Sequence, residues 1–228
     1  MRIDIWSDVV CPWCWIGKHR FQRALQLLGD AAPAVEVHWH AYQLDPEAGE
    51  QPVPLREALA VKFGGAERAG QLLAQTQATA QGEGLPMDFD RGQVRVTTLP
   101  AHRLMWLAAR EGVADAVGEA LFQAHFAQGR NLADPATLVQ AGAAGGLAQA
   151  RIRALLDSDE GRAEVQADLE QARAMGISAV PTFVIDGRYA VQGAQPPEQL
   201  AQILRQIAAE RGADASGEHA CGPDGCPV

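Results

Sequence analysis

The stretch "SDVVCPWCWIG", residues 7–17, sets Cys11 and Cys14 apart by a proline and a tryptophan, directly after the strand-like opening "MRIDIW". From Cys11 to Leu28 apolar residues recur at helical spacing, at Ile16, Phe21, Ala24, Leu25 and Leu28. The pair therefore marks the point where a strand becomes a helix. "RIDIW", 2–6, alternates apolar and polar as a half-buried strand does, and "VEVHWHAYQL", 35–44, supplies a second strand after the Gly29-Asp30 break. Strand, helix and strand make a βαβ unit.

A Cys-x-x-Cys at the first turn of a helix brings two sulfurs within bonding distance. The unpaired N–H groups and positive dipole end of that turn favour negative charge on the first of them. Cys11 is read as the exposed attacking thiolate and Cys14, one turn deeper, as the resolving thiol. Pro12 suits the first helical position, where its missing N–H would have had no partner. In such a pair the first sulfur attacks a disulfide and the second displaces the product; run backwards, the steps oxidise a dithiol. Asp8 is read as a structural residue that helps to cap the helix. Two other readings exist: a zinc half-site completed by Cys221 and Cys226, and an inert local bridge, which would close too small a loop to stabilise much. Opening a helix inside a βαβ pattern favours redox chemistry over both.

The bulk numbers narrow the partners. A chain of 228 residues that is 47% hydrophobic can bury a real core, and its net charge of −9 argues against general affinity for nucleic acid or anionic lipid. No apolar run approaches the ~20 residues of a membrane span, and the N-terminus lacks a secretory layout, so the expected location is the cytoplasm. Proteins and small molecules are the expected partners, with no nucleic acid, membrane, metal or cofactor. The four cysteines fall as two local pairs at the two ends, a pattern of chemistry rather than of a stapled secreted domain.

From Leu55 to about Ala174 the chain is rich in Ala, Leu, Gln, Glu and Arg, with helical periodicity punctuated by glycines and by Asp134-Pro135, an N-cap followed by proline at the first helical position. This reads as a bundle of short helices. The character then changes at "GISAVPTFVIDGRYAVQGAQPPEQLAQIL": Gly176 suits a helix end, "TFVID" a strand, Asp186-Gly187 a hairpin turn, "RYAVQG" the returning strand and "PPEQLAQILRQIAAE" an amphipathic helix. The remainder, "RGADASGEHACGPDGCPV", reads as a polar tail.

The order strand, CPWC, helix, strand at one end and "VPTF" leading into a hairpin and last helix at the other resembles the DsbA family of thioredoxin-fold proteins. "CPWCWIG", "AHRLMWLA", "LFQAHFAQGRNL" and "VPTFVIDGRYAVQGAQ" are similar to its FrnE-type subgroup. The resemblance implies an α/β thioredoxin fold with a large inserted α-helical domain. Residues 1–50 and 176–211 would form the thioredoxin-fold domain, 51–175 the insertion and 212–228 a redox tail. It also implies that Val180-Pro181 is a cis peptide against the cysteine pair, with Val180 offering backbone hydrogen bonds to an incoming peptide. The Pro-Trp between the cysteines departs from the Pro-His of strongly oxidising members, so the direction of exchange stays open.

Trp13 is read as a surface residue placed to contact apolar substrate side chains, and Trp6 as packing. His125 is read as a core histidine, His38 and His40 as sharing one strand face, and His102 as facing solvent or capping a carbonyl. Cys221 and Cys226, joined by a Gly-Pro-Asp-Gly turn, are read as an auxiliary redox pair. The expected function is exchange with protein disulfides as a reductase or isomerase, recycled by glutathione or a thioredoxin-type reductant. The alternatives are a kappa-class type glutathione-dependent isomerase or transferase acting on small aromatics, and a zinc-binding or chaperone protein.

Overall fold

A computed structural model describes residues 1–217. Its main sheet has four strands, β1 (Arg2–Ser7), β2 (Glu36–Ala41), β5 (Thr182–Ile185) and β6 (Tyr189–Gln192), in the order β2-β1-β5-β6. β2 runs parallel to β1, with Ile5 beside Trp39, as a βαβ unit requires. β5 runs antiparallel to β1, with Ile5 opposite Phe183, and the β5–β6 hairpin turns through left-handed backbone at Asp186 (φ 50°) and Gly187 (φ 67°).

The alternation in "RIDIW" does not make β1 half-buried. From Ile3 to Ser7 every residue of β1 is buried, because the strand is central and helices cover both faces. Its polar residues are tolerated because they are paired: Asp4 takes a two-pronged bond from Arg2 and another from His40.

On one face α1 (Pro12–Leu28) and α9 (Pro197–Gly217) close a core of Ile3, Ile5, Phe21, Phe183, Leu200 and Leu204. Nothing in 211–216 halts α9 except Gly212, a cost of ~1 kcal/mol that a helix tolerates. The helix therefore passes the boundary at 211 expected from the sequence.

Between the two parts of the sheet in sequence lie seven α-helices: α2 (Leu55–Phe63), α3 (Ala66–Gly82), α4 (Leu99–Arg110), α5 (Ala114–Phe122), α6 (Pro135–Ala144), α7 (Gln149–Leu156) and α8 (Arg162–Ala174). The Asp134 carboxylate caps α6 by accepting from the N–H groups of Ala136 and Thr137, with Pro135 in the first turn. Two features were not expected from the sequence. Val53–Pro54 (β3) pairs with Val94–Arg95 (β4), and α5 runs on into a π-helical turn at Gln123–Ala127. Among the described residues no helix is long and apolar enough to cross a membrane.

Candidate active site

The backbone leaves β1 at Ser7, turns through Asp8 to Val10 and enters α1 at Cys11, whose extended conformation (φ −90°, ψ 114°) makes it the N-cap residue. The turn is closed by Cys11 N–H donating to the Asp8 carbonyl at 3.0 Å and Cys14 N–H donating to the Cys11 carbonyl at 3.0 Å. No side chain caps the helix. The Asp8 carboxylate turns inward instead, its Oδ2 accepting from the Leu44 N–H at 2.8 Å and its Oδ1 lying 3.3 Å from His102 Nε2. His102 is therefore not at the surface: it is 3% exposed, brought in by α4 to face the buried Asp8.

Both cysteines carry free thiols. Cys11 is not the exposed thiol that its place at a helix start suggests; it is 4% exposed, and its Sγ donates to the Val180 carbonyl at 3.6 Å. Val180-Pro181 is a cis peptide. Val180 and both cysteines belong to one apolar cluster with Trp15 and Phe126, so the loop before β5 roofs the dithiol. Cys14 is buried deeper. Burial pushes its thiol well above its ordinary value, reinforced by Cys11 and offset in part by a hydrogen bond from the Ser7 side chain.

The loop is held in place on its far side. Gly193 N–H donates to the Pro181 carbonyl at 2.7 Å, and Thr182 Oγ1 donates to the Ala179 carbonyl at 2.7 Å. Among the described residues Val180 N–H makes no hydrogen bond, which leaves a donor beside the nucleophile. Gly17, one helical turn beyond Cys14, lets α1 meet this loop: a Cβ there would sit 2.7 Å from Pro181 Cγ. Sequence reasoning did not single out Gly17, although a glycine inside a helical run carries a cost that asks for a packing reason.

The helical insertion grips α1 through one carboxylate. Glu119 of α5 accepts from Trp15 Nε1, Lys18 Nζ and His19 Nε2, each at 3.0 Å. Burial would raise its carboxyl, but these bonds and the Lys18 charge bring it down to about 2. Trp15 also stacks on Phe122 and Phe126 at 6.2 and 5.9 Å between ring centroids. Glu119 went unnoticed in the sequence, because the contacts that single it out come from a helix about a hundred residues away.

Trp13, on the same first turn, is 40% exposed. The structure thus brings Cys11, Cys14, Val180 and Pro181 together with Trp13 at their edge; Cys221 and Cys226 lie outside the described residues. A cleft of about 650 Å³ between β2 and α4–α5 contains neither cysteine. Among the described residues no group of His, Cys, Asp and Glu could hold a metal ion.

A pair of free thiols at the start of α1, roofed by a cis-proline loop on a four-stranded sheet, has the arrangement of a thiol–disulfide oxidoreductase of the DsbA type. The model of the family described as DSBA-like thioredoxin domain matches residues 2–205, and the chain belongs to that family. It is similar to an uncharacterised protein of Bacillus subtilis (strain 168), YwbO, at 27% identity over 191 residues, which cover 81% of this chain and 86% of that one. Among solved structures it is similar to SCO1869 of Streptomyces coelicolor, described as a probable DsbA oxidoreductase, with 36% identity, a TM-score of 0.83 and coverage of 100% and 99% of the two chains. The cytosolic disulfide reductase DsbM of Pseudomonas aeruginosa shares the fold at 21% identity and a TM-score of 0.61, covering 92% of this chain and 100% of that one. DsbM has also been solved with GSH.

Proposed function

We propose that this protein is a cytoplasmic reductase or isomerase of protein disulfides, working through Cys11 and Cys14. The observation that carries the reading is the contact of Cys11 Sγ with the Val180 carbonyl, at 3.6 Å, across the cis-proline loop. A substrate strand that paired with Val180 would use its free N–H and displace the thiol from its carbonyl, bringing the substrate disulfide onto the sulfur. Trp13 at the rim offers apolar surface to the same strand.

The electrons balance in two steps. Cys11 thiolate attacks one sulfur of the substrate disulfide, that S–S bond breaks, and the leaving thiolate takes a proton from water. Cys14 then attacks Cys11 Sγ, its proton passing to the departing substrate sulfur; the mixed disulfide breaks, the substrate leaves as a dithiol, and Cys11 and Cys14 are oxidised to a disulfide. Two electrons from glutathione or a thioredoxin-type reductant restore the pair, and the DsbM structure with GSH supports the first of these. If the substrate's own thiol resolves the mixed disulfide instead, the result is isomerisation.

The division into a discontinuous thioredoxin-fold domain, 1–50 and 176–211, and a helical insertion, 51–175, belongs to this proposal, as does an auxiliary role for Cys221 and Cys226. Insulin reduction and reactivation of scrambled ribonuclease test it together. Turnover in either assay that is lost in Cys11→Ser is the expected result; absence of both activities in the reduced wild-type chain overturns the reading.

A further inference from the structure

β2 is an edge of the main sheet, and only one of its sides is paired. Glu36 N–H donates to the Met1 carbonyl at 2.9 Å and Tyr42 N–H to the Ser7 carbonyl at 3.1 Å, so Glu36, His38 and His40 turn their backbone groups toward β1. Val37, Trp39 and Ala41, one residue out of step, turn theirs outward. Ala41 is met there, its N–H donating to Asp168 Oδ2 at 3.0 Å. Among the described residues the N–H and C=O groups of Val37 and Trp39 have no hydrogen-bond partner.

The cleft of about 650 Å³ runs along these unpaired groups. Val37, Trp39 and Asp168 all line it, and because Asp168 reaches Ala41 from the outer side, the cleft lies on that side of the strand. Its other walls come from helices, with Phe21 and Leu25 of α1 and Met105 and Trp106 of α4. One wall is therefore an open strand and the others are largely apolar side chains. Such a slot takes an extended peptide as a fifth strand, ~4.8 Å from β2, with affinity from backbone pairing and selectivity from the side chains around it.

Charge decides which peptide fits. Among the described residues Lys18 is the one Lys or Arg that lines the cleft, and it is answered twice, by Glu119 and by Asp115. His40 lies between Asp4 and Asp168, with Arg2 also on Asp4. Glu36, whose side chain is 76% exposed, faces only His38, and that of Asp115 is 60% exposed. The wall thus carries more carboxylates than cations. The chain's own end has the wrong sign for it: beyond Arg211 come Asp214, Glu218 and Asp224 and no Lys or Arg. The same strand of a second copy brings the same carboxylates and is repelled likewise.

We propose that the outer edge of β2 is a docking site for an extended basic segment of the protein substrate, in which apolar residues alternate with Lys or Arg. The segment pairs with Val37 and Trp39 through its backbone, lays its apolar side chains against the helical walls and directs its cations to Glu36 and Asp115. Ser7 and Val9, on the run from β1 to Cys11, line the same cleft. A substrate seated there is held beside the turn that carries the nucleophile.

This inference rests on the protein-disulfide reading, and the test separates the two. The cysteine-free peptide acetyl-Lys-Val-Lys-Val-Lys-amide is added to the full chain, with acetyl-Glu-Val-Glu-Val-Glu-amide as the control, and hydrogen exchange is followed at single amides. The basic peptide is expected to slow exchange at the Val37 and Trp39 N–H groups by ~10-fold or more, and the acidic one to leave it unchanged. The basic peptide N-methylated along its backbone should not bind, and Glu36→Lys, a change at an exposed position, should weaken binding about 3-fold or more. Bound peptide should raise KM for scrambled ribonuclease, a basic substrate, and leave reduction of hydroxyethyl disulfide unchanged, since that molecule has no backbone to pair. Unmoved exchange at the two amides, equal affinity for both peptides, or an unchanged KM overturns the docking site. So does slow exchange at both amides in the free protein, whether constant, as for its own chain end, or growing with concentration, as for a second copy. Binding of the basic peptide by a chain that reduces neither ribonuclease nor hydroxyethyl disulfide leaves the edge standing and overturns the oxidoreductase reading.

Discussion

Gly17 and Pro181 are in contact across the site, with the backbone of α1 so close to the proline ring that a Cβ on residue 17 would lie 2.7 Å from Pro181 Cγ and 3.5 Å from Ala194 Cβ. A proline ring cannot swing aside as a long side chain would, so the loop must move. Gly17→Ala is therefore expected to cost about 1–3 kcal/mol of stability through overpacking, despite alanine's better helix propensity. It should also raise KM for protein disulfides several-fold by shifting Val180 away from Cys11. Urea denaturation and insulin-reduction kinetics read the two effects; a variant more stable than the wild type with unchanged KM would show that the loop accommodates the methyl.

The burial of Cys14 separates the roles of the two thiols. Cys11→Ser is expected to abolish turnover to the uncatalysed rate. Cys14→Ser should still attack and then stall, so that a substrate–protein mixed disulfide accumulates on Cys11 and is visible by non-reducing electrophoresis and mass spectrometry. Trapping on Cys14 in the Cys11→Ser variant instead would reverse the assignment.

Much of this site is legible in the primary structure, and the limit has a physical cause. "CPWC" after a strand and "VPTF" before one are local patterns, and each marks its own turn; that the second packs over the first is what the resemblance to the DsbA family implies, not what a few consecutive residues dictate. The π-helical turn at 123–127 and the two-residue strands at 53–54 and 94–95 have no local signature, because tertiary packing decides them. The inward turn of Asp8 depends on Leu44 and His102, which approach only after β2 and α4 have packed. The same holds for Cys11, whose burial comes from a loop at the other end of the chain.

Glu119 shows the energetic side of that long-range packing. Glu119→Gln keeps the shape but removes one of the two charges that balance Lys18, whose side chain is 3% exposed and also meets Asp115 Oδ2 at 3.2 Å. Breaking a fully buried pair costs ~3–5 kcal/mol; the 22% exposure of Glu119 and the remaining pair of Lys18 with Asp115 reduce the expected loss to about 1–2 kcal/mol. The lowered carboxyl gives the pH sign. Its contribution is complete above the ordinary value of 4.5 and is lost as pH falls toward about 2. The wild-type advantage over the variant, measured by urea denaturation, should shrink between pH 5 and pH 2 and be constant above; an advantage independent of pH would remove Glu119 as the anchor.

Replacing Cys221 and Cys226 together by serine is expected to slow insulin reduction or ribonuclease reactivation several-fold when glutathione is the reductant, with the stability of the folded chain unchanged. Identical kinetics in both assays would reduce these residues to incidental thiols.

His40 provides the opposite pH limb. Its Nδ1 meets Asp168 Oδ1 of α8 and its Nε2 meets Asp4 Oδ1, both at 2.8 Å, so both nitrogens face carboxylates, an arrangement that favours the charged ring. Burial opposes the charge, but the bonds to Asp168 and Asp4 raise the ring above its ordinary 6.5. A raised folded value means that the stabilisation is complete below the unfolded value and is lost as pH rises through the folded one. Asp4, lowered below 3.8 by Arg2 and His40 against the cost of burial, limits the acid side. Unfolding free energy should therefore decline as pH rises above about 6.5, and His40→Gln, which keeps a polar group but not the charge, should lose that slope. Trp6 stacks on the His40 ring at 4.5 Å between centroids and 16° between planes, so its fluorescence should titrate with the same midpoint. A wild-type alkaline limb no steeper than that of His40→Gln would show that the charged ring does not help to join the sheet to α8.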